Sequence, residues 1–309
     1  MFQLELAWLS IGVIALLVVV MLLILQTGRY QQRLVFRFWQ EVGLPLGTDS
    51  VAAAVRRRIR FRSSAALGGA LVGLLISAGA LYWNPSLASV SFAWLFTLPI
   101  LLTGIAALDV GFSLRESLFR QGKDSLRLAR SRVTSLRDYL SPWRLRLAPA
   151  FSLIAAVLCA VGMLLGLLGL IDGATFIRSP ALPLLAIALL VLFVGMAAER
   201  HVLGHPQPAT DTLELAWDDA FKADTFRVLR LFETIVAWLA VAAAGIGMLQ
   251  GLDAITGTSW STGVGPQLFI WGYLATLSSF SFGRAKTYFR HHLWPDLAEV
   301  NVGNTTGSN

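Results

Sequence analysis

Residue pairs whose spacing suits chemistry are few in this 309-residue chain, which carries four histidines and a single cysteine. His201 and His205 stand four apart, a spacing that puts two imidazoles on one helical face, and Glu199, Asp211 and Asp218 are the carboxylates that would complete a metal site. The intervening residues oppose that reading. The run is HVLGHP, in which Gly204 and Pro206 weaken a helix, and the Glu of a zinc-protease motif is missing between the histidines. Solvated loop histidines are the expectation. His291 and His292 are adjacent, so a helix turns them to different faces. Cys159 lies inside an apolar run, where it forms neither an intramolecular disulfide nor a cysteine metal site. No G-x-x-x-x-G-K-[ST] phosphate loop and no G-x-S-x-G nucleophile elbow occurs. The reading is a non-enzyme with no catalytic residue, no metal and no cofactor.

The elements that would position any site are membrane helices. Hydrophobic residues make up 56% of the chain and charged ones only 14%, against about 25% charged in an ordinary soluble domain, which excludes a soluble enzyme. A span needs about 20 mostly apolar residues to cross about 30 Å of hydrocarbon. Seven stretches meet that need, at 7–26, 65–83, 92–109, 149–171, 180–198, 234–252 and 267–283. Lipid satisfies no backbone polar group and no period-2 alternation is present, so the spans are helices and the fold class is an all-α polytopic bundle. Residues 1–9 contain no Lys or Arg and carry Glu5, so the first apolar run reads as a retained anchor.

Charge fixes the orientation. Segments 27–64, 110–148, 199–233 and 284–309 hold 24 of the 25 Lys and Arg residues, and Arg178 is the one left over. The positive-inside rule places those segments in the cytoplasm, with the N-terminus outside and the C-terminus inside. All four histidines then lie on the cytoplasmic side. Trp8, Trp83, Trp94 and Trp260 fall near the outer boundary and Trp143 near the inner one, as interfacial anchors do. The net charge of +7 therefore reports orientation and attraction to anionic headgroups, and nucleic acid is not an expected partner. Arg56, Arg57, Arg58, Arg60 and Arg62, just before the second span, read as a topogenic cluster facing headgroups.

A repeat is visible. Arg62, Arg146 and Arg230 precede the second, fourth and sixth spans at intervals of 84, and Leu98-Pro99-Ile100-Leu101 matches Leu182-Pro183-Leu184-Leu185 at the same offset. The reading is one leading helix followed by three parallel two-helix hairpins. It divides the chain into 1–64, a leading span and basic segment; 65–148, hairpin 1 with an amphipathic stretch over 113–140; 149–233, hairpin 2 with an acidic helix; and 234–309, hairpin 3 with a polar tail. Pro99 and Pro183 fall in first turns, where a missing amide donor costs little. The pairs Gly69/Gly73, Gly162/Gly166 and Gly247/Gly251 are small residues four apart that let neighbouring helices approach closely, either within the chain or in a second subunit.

Within the spans Asp109 is the one charged residue, at the cytoplasmic end of the third, where snorkelling or Arg115 would accommodate it. Outer loops are short, so any sizeable recognition surface faces the cytoplasm. There, residues 211–232 depart from the basic surroundings. Asp211 and Glu214 suit a helix N-terminus, and an apolar stripe with Leu213, Trp217, Ala220, Phe221 and Ala223 stands opposite Asp218, Asp219 and Asp224. Trp217, Asp218, Asp219 and Phe221 are the candidate docking residues for a cytoplasmic protein partner.

The stretch Glu214-Leu215-Ala216-Trp217-Asp218-Asp219-Ala220-Phe221-Lys222-Ala223-Asp224, with Val42-Gly43-Leu44-Pro45-Leu46, resembles a class of uncharacterised actinobacterial multi-pass membrane proteins. The resemblance implies a bacterial plasma membrane and brings no catalytic residue. Together these readings give a non-enzymatic accessory or permease-like component that docks a cytoplasmic partner. The alternative is a self-contained transporter or channel. A lipid-processing enzyme would need convergent polar groups around Asp109 and Glu199.

Overall fold

The computed structural model describes residues 2–44, 49–83, 97–119, 134–204, 212–281 and 288–295. Among them the chain is all helical: α1 Phe2–Gln26, α2 Gly28–Val42, α3 Asp49–Trp83, α4 Leu98–Phe119, α5 Leu136–Tyr139, α6 Pro142–Leu167, α7 Gly173–Arg178, α8 Ala181–Gly204, α9 Thr212–Thr256, α10 Trp260–Gly263, α11 Gly265–Ser281 and α12 Tyr288–Leu293. Trp94, Leu126, Val133, His205, Asp211 and the polar tail lie outside the described residues, as does most of the amphipathic stretch between α4 and α5.

Among the described residues five helices are long and apolar enough to cross a membrane: Leu4–Gln26, Val55–Trp83, Pro142–Leu167, Ala181–Gly204 and Thr212–Thr256. That composition is compatible with a membrane protein. The helices that fall in the third and seventh expected spans, α4 and the 17-residue α11, are not among these five, so seven spans are not confirmed. Large apolar side chains stand exposed along the apolar helices, among them Leu9, Leu16 and Leu23 of α1, Leu153 and Leu164 of α6 and Leu190 and Phe193 of α8, which suits a hydrocarbon solvent. Trp8, Trp83, Trp143 and Trp260 are all exposed.

Two compact units share the chain. One comprises 1–141, 198–228 and 283–309, the other 142–197 and 229–282. In the first, α1, α3 and α4 pack through Ala7, Ile11, Val18, Ala70, Leu74, Leu81 and Leu101. α3 and α4 run antiparallel: a Cβ on Gly69 would strike the Gly104 carbonyl, and one on Gly73 would come within 2.7 Å of the Leu101 Cα. Small residues therefore allow backbone-to-backbone contact. In the second unit Gly162 and Gly166 of α6 and Gly247 and Gly251 of α9 clasp residues 171–179, facing Phe176, Gly173, Ser179 and Ile171 respectively. All three small-residue pairs are thus used within the chain. Phe176, fully buried, joins Cys159, Ala181 and Ala244 in that core.

The 84-residue repeat is not confirmed in the structure. Pro183 sits in the first turn of α8, and α4 starts at Leu98, one residue before Pro99. The arginines are not equivalent, however. Arg62 and Arg230 are buried while Arg146 is exposed and Arg144 is buried in its place. Arg144 Nε donates to the Ser279 carbonyl at 3.0 Å, satisfying one of the carbonyls left open at the end of α11. Pro149, expected at the start of a span, is inside α6, which begins a full two turns earlier at Pro142. A proline there removes one intrahelical hydrogen bond and bends the helix.

Candidate functional site

At about 1.5 Å per residue the 35 residues of α3 span about 52 Å and the 45 of α9 about 68 Å, well beyond the hydrocarbon thickness. Each is therefore longer than a membrane crossing needs, and the charged N-terminal halves of the two meet in the first unit. Arg58 Nη1 donates to Asp218 Oδ1 at 2.8 Å, and Arg62 Nη1 to Asp224 Oδ2 at 2.5 Å. The contacts advance along both helices in the same sense, so α3 and α9 ascend side by side. Arg62 also reaches the antiparallel α4, its Nε donating to Asp109 Oδ1 at 3.1 Å. Asp224 takes a further pair of bonds from Arg227, at 2.9 and 2.6 Å. One guanidinium thus ties three helices together, with its side chain 11% exposed.

Beside this network lies a cavity of about 190 Å³ lined by Phe38, Ile59, Arg62, Ser63, Ala66, Asp109, Phe221 and Asp224. Water occupies about 30 Å³ per molecule, so the space suits a few waters and falls short of the ~300 Å³ at which organic-ligand pockets begin. Its charged groups are committed to one another: Arg62 to Asp109 and Asp224, and Arg227 to Asp224. Ser63, the hydroxyl on the wall, has no histidine among the lining residues to activate it. Among the described residues no group of three His, Cys, Asp or Glu is placed to hold a metal ion.

The placement of the candidate docking residues corrects the sequence reading. Trp217 is 2% exposed and Phe221 8%. Phe38 of α2 stacks on Phe221 at a centroid distance of 5.5 Å and tilts against Trp217 at 6.3 Å, so the chain's own amphipathic helix covers the stripe. Arg58 closes the same surface, its guanidinium 4.6 Å from the Phe221 ring centroid. Asp218 is engaged by Arg58. Asp219, expected on the solvated face, is fully buried and accepts from the Tyr139 hydroxyl and from Trp294 Nε1, each at 3.0 Å. It thereby pins both α5 and the residue after α12 to α9. A helix that pairs an apolar stripe with localised charge satisfies the requirements of an internal packing element as fully as those of a docking helix, and here the internal use prevails.

The arginine cluster divides in a similar way. Arg56, Arg57 and Arg60 are exposed, as a headgroup-facing role requires. Arg58 and Arg62 turn inward to carboxylates, which corrects their assignment to headgroups. Helical geometry is the reason: 58 and 62 are four apart and share the face that meets α9. Asp109 likewise pairs with Arg62 and not with Arg115. The signal was present, because an antiparallel hairpin puts the end of the third span level with the start of the second. Phe38, Ser63 and Tyr139 were not singled out by any motif. No family model, no curated protein and no solved structure matches this chain.

Proposed function

We propose that the chain is a seven-span protein of a bacterial plasma membrane, N-terminus outside and C-terminus inside, that works as a non-enzymatic accessory or permease-like component in contact with a cytoplasmic partner. The observation that carries this reading is the ion-paired layer of the first unit. Arg58, Arg62, Asp109, Asp218, Asp224 and Arg227 neutralise one another between α3, α4 and α9 around a cavity of about 190 Å³. Groups so committed stiffen a scaffold; they are poorly disposed to act on a substrate. Partner contact then falls to the outward surface of this layer, since the Trp217–Phe221 stripe is used internally.

The transporter reading has one observation in its favour. Arg230 and Glu233 are 6% and 2% exposed and pair at 2.8 Å, at the entrance of the expected 234–252 span, and buried ionisable groups at membrane depth often mark ion pathways. Purified full-length protein in liposomes separates the two. The accessory reading expects no saturable flux of Na⁺, K⁺ or H⁺, together with a stoichiometric protein retained on the tagged chain in mild detergent at low salt. Saturable flux by the protein alone, blunted by Glu233→Gln, would replace it with the transporter reading.

A further inference from the structure

The short helix after the first span has a face that the ion-paired layer leaves unused. Seen end-on, α2 turns Val35, Phe38 and Val42 inward and leaves Arg29, Gln32, Arg33, Phe36, Arg37 and Gln40 exposed. Arg29, Arg33 and Arg37 are spaced four apart and form one ridge, with Phe36, 52% exposed, set among them. From residue 29 to residue 40 α2 contains no Asp or Glu; its one carboxylate, Glu41, follows Arg37 by four at the end of the helix. None of the three arginines is ion-paired among the described residues.

The orientation of α2 follows from its two ends. At its start, Arg60 Nη2 donates to Gln26 Oε1 at 2.6 Å, which places the α1–α2 joint beside residue 60 of α3. Ten residues into α2, Phe38 lines a cavity with Ile59, Arg62, Ser63 and Ala66 of α3. Ten residues of helix advance about 15 Å. Had α2 run along α3, Phe38 would stand some ten residues away from position 60. It stands beside 59–66, so α2 crosses α3. The C-terminus is held by α12: Gly43, in the left-handed conformation with φ 68°, ends the helix, and Arg290 Nη1 donates to the Gly43 carbonyl at 3.0 Å. With α3 upright in the bilayer, α2 lies in the membrane plane just below the 65–83 span.

We infer that α2 is an interfacial helix whose exposed Arg29, Arg33 and Arg37 ridge, extended by Arg60, binds the headgroups of anionic phospholipids. Guanidinium groups donate two parallel hydrogen bonds to a phosphate, and four on one edge at headgroup depth match a negatively charged leaflet. Phe36 would enter the headgroup–acyl boundary between them, as aromatic residues of interfacial helices do. The inference rests on the cytoplasmic placement of basic segments proposed above.

The test uses the full chain with Cys159→Ala and Gln40→Cys, labelled with a fluorophore and reconstituted in phosphatidylcholine vesicles. Brominated phosphatidylglycerol should quench the label at a several-fold lower mole fraction than brominated phosphatidylcholine, and 0.5 M salt should weaken the preference. A single Arg→Gln change at 29, 33 or 37 should bring the two lipids close to parity, since about 1 kcal/mol per basic side chain near an anionic surface is a factor of about five. Each variant is scored only where its melting is unchanged from that of the labelled parent, which separates lost lipid contact from misfolding. Equal quenching by the two lipids, or a preference untouched by the substitutions, would overturn the inference and leave the ridge to an acidic protein segment. Labelling of Gln40→Cys in intact cells by an impermeant reagent would instead overturn the orientation on which it rests.

Discussion

Replacing Arg62 tests the network at its centre. Its guanidinium holds Asp109 at 3.1 Å and Asp224 at 2.5 Å, and the three side chains are 11%, 22% and 14% exposed. Removing one member of a buried pair costs about 3–5 kcal/mol because the other charge is left uncompensated. Arg227 stays on Asp224, and Asp109 is the more exposed carboxylate, which brings the expected loss for Arg62→Met to about 3 kcal/mol. Methionine keeps most of the packing volume, so the loss reports charge and not a cavity. Asp109→Asn should cost only about 1 kcal/mol, since Arg62 retains Asp224. Adding Asp109→Leu to Arg62→Met should restore about 1–2 kcal/mol by removing the stranded carboxylate. Unfolding of the purified chain in mixed SDS–detergent micelles, followed by far-UV circular dichroism, gives these differences. Arg62→Met within about 0.5 kcal/mol of wild type, or no rescue in the double variant, would refute the reasoning.

Three further outcomes follow from the packing and the caps. Gly69→Ala drives a Cβ into the Gly104 carbonyl of α4, a backbone that cannot step aside, and should destabilise by about 2 kcal/mol, whereas Gly12→Ala meets nothing within 4 Å and should be neutral; detergent melts compare them. Trp217→Ala empties a fully enclosed site and should cost about 3–5 kcal/mol, read by the same unfolding titration; unchanged stability would return the residue to the surface. Asp172 caps α7, accepting from the Thr175 hydroxyl and from the amides of Ala174 and Thr175, and these bonds, with the Thr175 hydroxyl leading, hold its carboxyl below the usual range. A carboxyl lowered on folding contributes stability above its ordinary pKa and loses it as pH falls through the lowered one, so the stability gap between wild type and Asp172→Asn should narrow below about pH 4.

How far the sequence carried the reading differs by element. Apolar run lengths marked α1, α3, α6, α8 and the second half of α9 directly, because lipid-length hydrophobicity is a one-dimensional signal. The Gly69/Gly73 pair announced a close approach, and Gly104 answers it across the hairpin. What the sequence left open was which face of each long helix met which. Trp217 and Phe221 have the same pattern whether Phe38 or another protein covers them, and only the bend at Thr27 brings α2 back across α3 to do so. Arginine number alone pointed to headgroups; position within the turn separated Arg58 and Arg62, which face α9, from Arg56, Arg57 and Arg60, which do not. Asp219 was invisible because its donors, Tyr139 and Trp294, lie 80 and 75 residues away.

The central claim is that the ion-paired layer belongs to the cytoplasmic side of a multi-pass membrane protein, and substituted-cysteine labelling in intact cells tests it most directly. In a Cys159→Ala background, Ser259→Cys, in the exposed turn after α9, should react with an impermeant maleimide from outside, and His201→Cys, exposed near the end of α8, should react only after the cells are opened. The reverse pattern, or both positions reacting from the same side, would contradict the account.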